Sequence, residues 1–465
     1  MKKKDVGILE KIAIGLNSAR ERYDKYIEMS SEKVFDFSVV EKHCDRSGNE
    51  YYNIDNASDH DDFQSELTRG DNIEYMLNLL KRGMSKKIKL IYIDPPFFTK
   101  SKFNATIEIK GSDGKNNRVR HLAYDDRFER NLELYIENIS VRLLLIKDLL
   151  ADDGLLWIHL DWHSVHYIKL IADEIFGNNN FINEIIWAYK SGGSSKKSFS
   201  KKHDTILVYS KTKNYKLHIP TEKSYNRGLK AYNFKGVREY QDEYGWYTLV
   251  NMKDIWHIDM VGRSSSERTG YATQKPVELM KRVIQSSSEP GDIVADFFCG
   301  SGSFLVAAAE LDRDWIGCDS EDLAVSTGRK RLDSIEENFI VRSNQGRQWQ
   351  LGKVEISCKN SEILQNGKSF NEYFVSSFEP DIETGYIQLN DRKYVNETLI
   401  SNRLNLIDYI MVDPDYTSDE GFNSEILYKD DFDSMKFITR GNVAFIIVDV
   451  FGREYFYRIN DNELK

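Results

Sequence analysis

The sequence predicts an α/β fold, a Rossmann-like, mostly parallel and doubly wound sheet, followed by a smaller β-rich C-terminal domain. Between about residues 70 and 340, short apolar runs alternate with segments of helical period, which is typical of a parallel sheet. Several of these runs end in an aspartate. Beyond about residue 345, runs such as IDYIMV and VAFIIVDV lie between turn residues, and helical periods are few.

The elements can be placed in order along the chain. Residues 5–30 have the spacing of an amphipathic helix, and the polar, acidic residues 44–66 indicate a loop. Residues 99–121 are charged and rich in Gly and Asn, which predicts a mobile loop. Further helices are predicted at 71–82, 132–150, 165–176, 276–285 and 303–311, and strands at 89–93, 155–160, 205–209, 292–296 and 315–319.

Three domains follow from these patterns. Residues 1–69 are predicted to form a helical and irregular extension, residues 70–340 the α/β domain, and residues 341–465 an acidic, β-rich domain. The stretch 361–465 carries twenty Asp and Glu against ten Lys and Arg. Because like charges repel, we expect direct contact with phosphates to be the least favoured role for it.

Composition excludes several classes of protein. With 465 residues, 40% of them hydrophobic, the chain can bury a real core, and its net charge of −10 argues against coating nucleic acid with its whole surface. The four cysteines form no CxxC pair and the nine histidines show no ligand spacing, so no disulfide framework and no metal site is predicted. No apolar run reaches the roughly 20 residues that span a bilayer, and no signal peptide is recognisable. We expect a cytoplasmic protein that does not enter a membrane.

A glycine-rich turn in DIVADFFCGSGSFLVAAAELDRDWIGCD is the first candidate site. A strand ends in Asp296, Gly300 and Gly302 form a tight turn, and the next strand ends in Asp319. Glycines allow close approach of a ligand, and an acid at the next strand end can accept both hydroxyls of a ribose. The missing third glycine argues against a dinucleotide, so S-adenosylmethionine fits better. An ordinary βαβ unit with a glycine turn remains the alternative.

The tetrad Asp94-Pro95-Pro96-Phe97 follows a predicted strand and is the second candidate site. Ligands of open α/β sheets bind beyond the carboxyl ends of the strands. An aspartate and a proline carbonyl can accept both hydrogens of an amino group, and the phenylalanine offers a face for a stacked base. The alternative is a rigid turn with Phe97 as part of the core.

Together these motifs resemble a known family. DPPF matches the (D/N/S)PP(Y/F) motif of DNA amino-methyltransferases, DFFCGSG resembles their cofactor loop, and TQKP at 273–276 resembles the segment before that loop. The order tetrad, TQKP, glycine loop is that of the circularly permuted beta class. Residues 183–211 are similar to the same subgroup, which includes the modification subunits of type III restriction systems. The resemblance covers about residues 70–335 and implies a Rossmann-like methyltransferase fold.

The resemblance implies a role for each matching residue. Asp94 and the carbonyl of Pro95 would hold the target amine in the Pro95-Pro96 turn, with Phe97 stacked on the base. Thr273 and Lys275 would border the methionine end of S-adenosylmethionine. The remaining cofactor residues would be Asp296, Phe298, Gly300, Gly302, Ser303 and Asp319. Phe304 stands where the family has a threonine.

The implied activity is site-specific methylation of adenine N6 in double-stranded DNA after base flipping, within a restriction-modification or related bacterial system. An aspartate at the start of the tetrad resembles the adenine enzymes, whereas Ser-Pro-Pro-Tyr resembles most cytosine N4 enzymes. The alternatives are a cytosine N4 methyltransferase, an enzyme acting on RNA or a protein amide, and a catalytically silent DNA-binding subunit. Cytosine C5 chemistry needs a nucleophilic cysteine after a proline, and none of the four follows one.

A basic segment is the candidate DNA-binding surface. Residues 190–235 carry twelve Lys and Arg against two acids, with aromatic residues interleaved. Such a segment can neutralise phosphates, although a solvated lysine-rich surface would look the same. Residues 190–270 are the candidate target-recognition insert. The DNA-binding residues we select are Lys196, Lys197, Lys201 and Lys202, while His159 at a strand end is a candidate for lining the pocket. Homodimerisation and a restriction endonuclease subunit are the protein partners we consider.

Overall fold

The computed structural model describes residues 7–32, 35–43, 64–111, 113–126, 131–190, 196–344, 349–364, 368–417, 421–439 and 441–459. The α-helices in these ranges are α1 (Ile8–Glu32), α2 (Asn72–Lys81), α3 (Leu132–Leu149), α4 (Val165–Phe176), α5 (Val277–Ser287), α6 (Ser303–Ala309), α7 (Asp322–Asp333) and α8 (Arg392–Ser401). The predicted loop at 44–66 lies almost wholly outside the described residues, as does Cys44.

The strands of the first two thirds of the chain are β1 (Ser38–His43), β2 (Glu66–Arg69), β3 (Ile88–Ile93), β4 (Lys102–Lys110), β5 (Asn116–Asp125), β6 (Leu150–Leu160), β7 (Phe181–Ala188), β8 (His203–Ser210), β9 (Thr221–Tyr225), β10 (Glu239–Asp242), β11 (Gly245–Asn251), β12 (Ile255–His257), β13 (Ile293–Asp296) and β14 (Asp314–Asp319). Those that follow are β15 (Phe339–Ser343), β16 (Lys353–Ile363), β17 (Ser369–Glu379), β18 (Ile407–Asp413), β19 (Phe422–Asn423), β20 (Glu425–Leu427), β21 (Met435–Thr439), β22 (Val443–Asp449) and β23 (Glu454–Ile459).

The main sheet has eleven strands in the order β12-β7-β8-β6-β3-β13-β14-β2-β15-β1-β19. Its centre, from β6 to β15, is parallel throughout, and β8 is antiparallel to both of its neighbours. Ile91 and Ile93 belong to the apolar layer that contains α1 to α4, whereas Leu90 and Tyr92 belong to the layer that contains α5 to α7. Because alternate side chains of a strand face opposite sides, helices cover both faces of the sheet. The predicted fold class is confirmed.

The register of the central strands aligns their carboxyl ends. Asp296 at the end of β13 pairs with Tyr92 of β3 on one side and Gly317 of β14 on the other. The residues that follow these strands, or end them, are therefore neighbours along one edge, and Asp94, Asp296 and Asp319 meet there.

The amino-terminal residues belong to the same sheet. Helix α1 packs against α3, while β1 and β2 are strands of the main sheet, with β2 between β14 and β15. The β19 strand from the other end of the chain pairs with β1. The division into domains at 69/70 and 340/341 stays a prediction.

The prediction of a mobile loop at residues 99–121 is wrong. The chain forms a two-stranded hairpin of β4 and β5, in which nearly every residue of one strand pairs with the other. Its inward side chains alternate along each strand, so the segment has the period of a strand despite its charge and its Gly and Asn content. Strand β6 also begins earlier than the predicted strand at 155–160, and residues 151–154 form an irregularity in its pairing with β3.

The C-terminal β module (residues 353–459) consists of a three-stranded sheet, β16-β17-β21, and a four-stranded sheet, β20-β18-β22-β23. This confirms its β-rich character. The apolar run YIQL at residues 386–389 also has the composition of a strand, but Ile387 there makes only an isolated bridge to His121. Within the described ranges, we find no helix whose length and apolar character would allow it to cross a membrane.

Candidate active site

A cavity of about 420 Å³ lies at the carboxyl ends of β3, β13 and β14. Its wall combines the tetrad after β3, the glycine turn after β13 and the segment 271–275 before α5. The structure thus brings together a tetrad and a glycine turn that lie more than 200 residues apart in the sequence. The predicted site residues that line this cavity are Asp94, Pro95, Pro96, Phe97, Thr273, Lys275, Asp296, Phe298, Gly300, Ser303 and Asp319.

Asp94 has two differently engaged carboxylate oxygens. Lys275 Nζ donates to Oδ2 and forms an ion pair with it. Oδ1 is buried and has no hydrogen-bond partner among the described residues. Because an unpaired buried acceptor costs free energy, this oxygen is best explained as a group kept for a ligand. Lys275 therefore contacts the tetrad directly.

The ring of Phe97 contacts an imidazole and an ammonium group. Its ring stacks on His159, with centroids 6.1 Å apart and an interplanar angle of 16°, and Lys275 Nζ lies 5.6 Å from its centroid. His159 is fully buried and contacts Tyr92 Oη at 2.8 Å and Asp204 Oδ2 at 3.2 Å. It does not line the cavity, and we assign it the support of Phe97 instead.

Asp126 fixes the turn that follows the tetrad, a role that sequence reasoning missed. Its carboxylate accepts hydrogen bonds from Phe98 N at 2.9 Å, Thr99 N at 2.8 Å and Thr99 Oγ1 at 2.7 Å. Phe98 and Lys100 have φ values of 60° and 61°, a region that side chains other than glycine seldom adopt. The acid thus stabilises a strained backbone directly after the tetrad. No signal in the sequence distinguishes it from its acidic neighbours.

The tetrad itself is rigid for a further reason. The hydroxyl of Tyr135 donates to the carbonyl oxygen of Pro96 at 3.0 Å. This hydrogen bond occupies one lone pair of the Pro96 carbonyl and holds the second proline of the turn in place. The pairing of Asp94 with the Pro95 carbonyl stays a prediction.

The glycine turn connects two strand ends. Gly300 has a φ of 49°, and its N–H donates to Asp319 Oδ2 at 2.9 Å, while Glu321 N donates to Oδ1 at 3.0 Å. A Cβ at Gly300 would lie 3.3 Å from the ring of Tyr271, which covers the turn. Gly302 is not brought to the cavity: it precedes α6 with a φ of 75°, and a Cβ there would meet the backbone of Gly328 at 3.1 Å. We therefore assign Gly302 to helix packing.

Three carboxyl groups, those of Asp94, Asp296 and Asp319, line the cavity at this edge. Burial raises the pKa of Asp296 well above its ordinary value, the amide of Phe298 opposes the shift, and the charges of Asp94 and Asp319 add to it. Burial also raises the pKa of Asp319. A cationic ligand would relieve the repulsion among these groups. The sulfonium of S-adenosylmethionine is such a cation, and Asp319 retains lone pairs for a ribose, so the donor set fits this cofactor.

Two residues that the sequence did not single out complete the wall. Asn72 donates to the carbonyl of Phe297 at 2.7 Å and accepts from Arg142 Nε at 2.8 Å. The guanidinium of Arg142 lies 5.8 Å from the ring centroid of Phe298. Ser303 Oγ accepts from Arg331 at 2.9 Å, so its hydroxyl is already engaged. These contacts fix the glycine turn from the side of α2, α3 and α7.

Cys299, which lines the cavity, and its neighbour Cys318 have the properties of packing residues. Cys299 and Cys318 are buried, and burial raises the pKa of each thiol well above its ordinary value. Thiols in this state are poor nucleophiles. This supports their interpretation as small packing residues.

The predicted DNA-binding lysines lie on the same edge of the sheet. β8 begins beside the carboxyl end of β6, since Thr205 pairs with Leu160. Residues 196–202 directly precede β8, and Lys196, Lys197 and Lys201 are exposed. Lys201 Nζ lies 4.2 Å from the ring centroid of Trp162, which follows β6 and is 47% exposed. A basic and aromatic surface thus begins two strands away from Asp94.

Comparison with known proteins gives the family. The profile of the DNA methylase family matches residues 88–330, just over half of the chain. The type II methyltransferase M.EcaI of Enterobacter cloacae is 30% identical over 322 residues, which cover 56% of this chain and 68% of that protein. The DNA adenine methyltransferase YhdJ of Escherichia coli (strain K12) is 26% identical over 61% of this chain and 89% of its own. The Mod subunit of the Escherichia coli type III restriction-modification enzyme EcoP15I is 26% identical over 42% and 33%.

The chain belongs to the DNA methylase family. It is a DNA methyltransferase, as its sequence predicts, and S-adenosylmethionine is the methyl donor of the family. The predicted resemblance to type III modification subunits is confirmed as well.

Proposed function

We propose that this enzyme methylates the exocyclic N6 amino group of adenine in double-stranded DNA, with the target base flipped into the cavity. The observation that carries the proposal is the buried Oδ1 of Asp94, which has no hydrogen-bond partner in the described ranges and belongs to the cavity wall. An acceptor at this place suits an amino group. A base inside a duplex cannot reach such a cavity, so the nucleotide must leave the stack.

The side chains around Asp94 would orient the amine. Asp94 Oδ1 and the Pro95 carbonyl would each accept one of its hydrogens, which localises the nitrogen lone pair on the side away from them. Phe97 would support the base by stacking. Bound S-adenosylmethionine supplies the electrophilic methyl group. Holding the amine in a near-attack geometry is then the main contribution of the protein.

Asp296, Gly300 and Asp319 would hold the cofactor from the other side of the cavity. The Gly300 turn allows close approach, and the carboxylate of Asp319 is oriented by two backbone amides. Oriented carboxylates retain their geometry when a ligand binds, so little reorganisation is needed. Tyr271 covers the same turn and would enclose the ligand.

Adenine is favoured over cytosine by the first residue of the tetrad and by one relative. An aspartate at the first position of the tetrad, here Asp94, resembles the motif of the adenine enzymes. A protein named DNA adenine methyltransferase aligns with 61% of this chain. Cytosine N4 is the second candidate, because its amino group would make the same hydrogen bonds. A catalytically silent DNA-binding subunit is disfavoured by the intact arrangement of Asp94, Lys275 and Asp319.

Product analysis tests the proposal. We expect the purified protein to transfer tritiated methyl groups from S-adenosylmethionine to genomic double-stranded DNA. Digestion to nucleosides should place the label in N6-methyldeoxyadenosine. Label in N4-methyldeoxycytidine would establish the second candidate, and absence of label with intact DNA binding would indicate the silent subunit.

Charge reversal tests the DNA-binding surface. We expect the double variant Lys196→Glu, Lys197→Glu to bind duplex DNA more weakly, with the slope of log K against log salt reduced by about 1 for each phosphate that is no longer neutralised. Fluorescence anisotropy over a salt series measures both quantities. Lys87→Glu, exposed at the opposite edge of the sheet, is the matched control. Equal effects of the two variants, or an unchanged slope in the double variant, would remove the assignment.

We further propose that the enzyme acts in the cytoplasm as part of a restriction-modification or related bacterial system. Its relatives include a protein named as a type II methyltransferase and one named as the Mod subunit of a type III restriction-modification enzyme, which supports this setting. A homodimer and a restriction endonuclease subunit are the protein partners that we propose. Size-exclusion chromatography with light scattering, alone and with DNA, would test the first of these.

A further inference from the structure

The β4–β5 hairpin contacts the cavity through its base. Tyr124 and Asp125 line the cavity, and Tyr124 Oη lies 3.2 Å from Thr273 Oγ1. Thr106 N donates to the carbonyl of Gly270 at 2.8 Å. The hairpin is therefore attached to the segment that carries Lys275, the partner of Asp94.

Thr273 adds a sign of strain at this contact. Its φ is 57°, which is unfavourable for a residue branched at Cβ. Such a conformation persists only where the surroundings hold it. Tyr124 is the hairpin residue that contacts Thr273, so the position of the hairpin bears on the geometry next to Lys275.

The remainder of the hairpin is packed into the C-terminal β module. Ile109 and Val119 are fully buried and belong to the same apolar cluster as Val395 and Leu406 of the module. Helix α8 packs against both strands of the hairpin. A two-stranded hairpin by itself is marginally stable in water, and here the module supplies the missing apolar partner.

A polar contact fixes the register between the two parts. Arg120 donates to Asp391 through Nε at 2.8 Å, Nη2 at 3.2 Å and its backbone N at 3.0 Å, and its carbonyl accepts from Gln388 N at 3.0 Å. Asp391 is buried, and its hydrogen bond with Arg120 lowers the pKa of the carboxyl group. Two-pronged arginine–carboxylate pairs are geometrically specific. This contact therefore defines a single docked position.

His121 strengthens the apolar part of this contact. Its ring lies 5.2 Å from that of Phe451 and 6.2 Å from that of Tyr386. Burial, together with the charge of Arg453, lowers the pKa of His121 to about 4. The imidazole is therefore neutral at pH 7 and packs without a buried charge.

We infer that the C-terminal β module supports the hairpin during catalysis, and that Arg120 and Asp391 are positioning residues that act on the cavity through Tyr124. The inference rests on the proposed function, because it concerns the same cavity. It gives the acidic module a role that needs no contact with DNA. The substrate that benefits is the flipped nucleotide, since Tyr124 lines the cavity near Asp94.

Asp391→Ala tests the inference. We expect kcat on DNA to fall about tenfold, because small displacements of a positioning element cost up to about 100-fold in rate. The KM for S-adenosylmethionine should stay the same, and hydrogen exchange should rise in residues 102–125. Glu379→Ala is the matched control, since Glu379 forms an ion pair with Arg403 at 2.6 Å within the module. This variant should change neither kcat nor the hydrogen exchange of residues 102–125.

A second variant and a double variant separate positioning from general stability. Arg120→Gln removes the same ion pair from a side chain that is 53% exposed, and should reproduce the effect if Asp391→Ala does not fold. Combining Asp391→Ala with Tyr124→Phe should lower kcat no further than the stronger single variant, because both act on one contact.

The outcomes distinguish this inference from the proposed function. Wild-type protein that transfers no methyl group to DNA would overturn the proposed function. Normal wild-type transfer with kcat and hydrogen exchange of Asp391→Ala equal to those of Glu379→Ala would overturn the inference alone. Multiplicative losses in the double variant would show that Asp391 does not act through Tyr124.

Discussion

The variant Asp94→Asn should lose methyl transfer by roughly 100- to 1,000-fold in kcat, the range found when one preorganised polar contact is removed from a reacting centre. The amide has one oxygen and one NH2 group, whereas the carboxylate has two acceptor oxygens. Since Lys275 donates to Oδ2, the amide would turn its oxygen toward Lys275. Its NH2 would then face the cavity and oppose the N–H groups of the target amine.

Single-turnover transfer of tritiated methyl groups, with enzyme in excess over DNA, measures this loss. DNA affinity should stay close to wild type because the substitution conserves shape, whereas the thermal midpoint should fall, since asparagine leaves the buried ammonium of Lys275 without its counter-ion. Asp312→Asn is the matched control, since Asp312 is exposed in a turn with a φ of 58°, a conformation that asparagine tolerates. A kcat for Asp94→Asn within a few-fold of wild type would contradict the proposed role of Oδ1.

The central part of the site could be predicted because its motifs follow strand ends. Asp94, Asp296 and Asp319 each come at the carboxyl end of a buried apolar run, and such ends converge in a parallel sheet. The sequence could not indicate that Lys275 pairs with Asp94, because that contact depends on how the segment before α5 crosses the edge. Gly302 shows the limit of the pattern, since a glycine that lies against a neighbouring helix looks the same in the sequence as one that lies against a ligand.

The sequence predicts a loop where the structure has the β4–β5 hairpin, and the residues of β4 show why. Ala105, Ile107 and Ile109 alternate with polar residues as in a strand, but they are few and the segment is highly charged. Their apolar partner is the C-terminal β module, which begins more than 220 residues further along the chain. Local composition therefore indicated a loop, while the tertiary contact determines a strand.

The buried ion cluster around Arg329 likewise has no sequence signal. The guanidinium is 1% exposed and contacts Glu41 of β1 at 2.7 Å, Glu454 of β23 at 2.9 Å and Tyr409 of β18 at 2.6 Å. One side chain of α7 thus joins the amino-terminal strand, the main sheet and the C-terminal β module. These polar groups from distant positions meet only in the folded chain.

Arg329→Met should lower the free energy of unfolding by about 3–5 kcal/mol, because it leaves the carboxylates of Glu41 and Glu454 buried without their counter-ion. The adjacent variant Lys330→Met is the matched control. Lys330 also joins α7 to β18, through an ion pair with Asp408 at 2.8 Å, but the side chains of Lys330 and Asp408 are each about one-third exposed. Ion pairs with this exposure contribute about 1 kcal/mol or less to stability. Denaturation followed by circular dichroism compares the two variants.

A compensated variant decides whether the loss comes from unpaired charge. With Glu41→Leu and Glu454→Leu added to Arg329→Met, no uncompensated carboxylate remains in the cluster, and part of the lost stability should return. If the loss came from packing alone, the added substitutions would lower the free energy of unfolding further. Equal destabilisation by Arg329→Met and Lys330→Met would show that the buried cluster adds no more than a surface pair. Because the cluster also anchors β18 and β23, its loss should loosen the C-terminal β module and, through Asp391, the hairpin at the cavity.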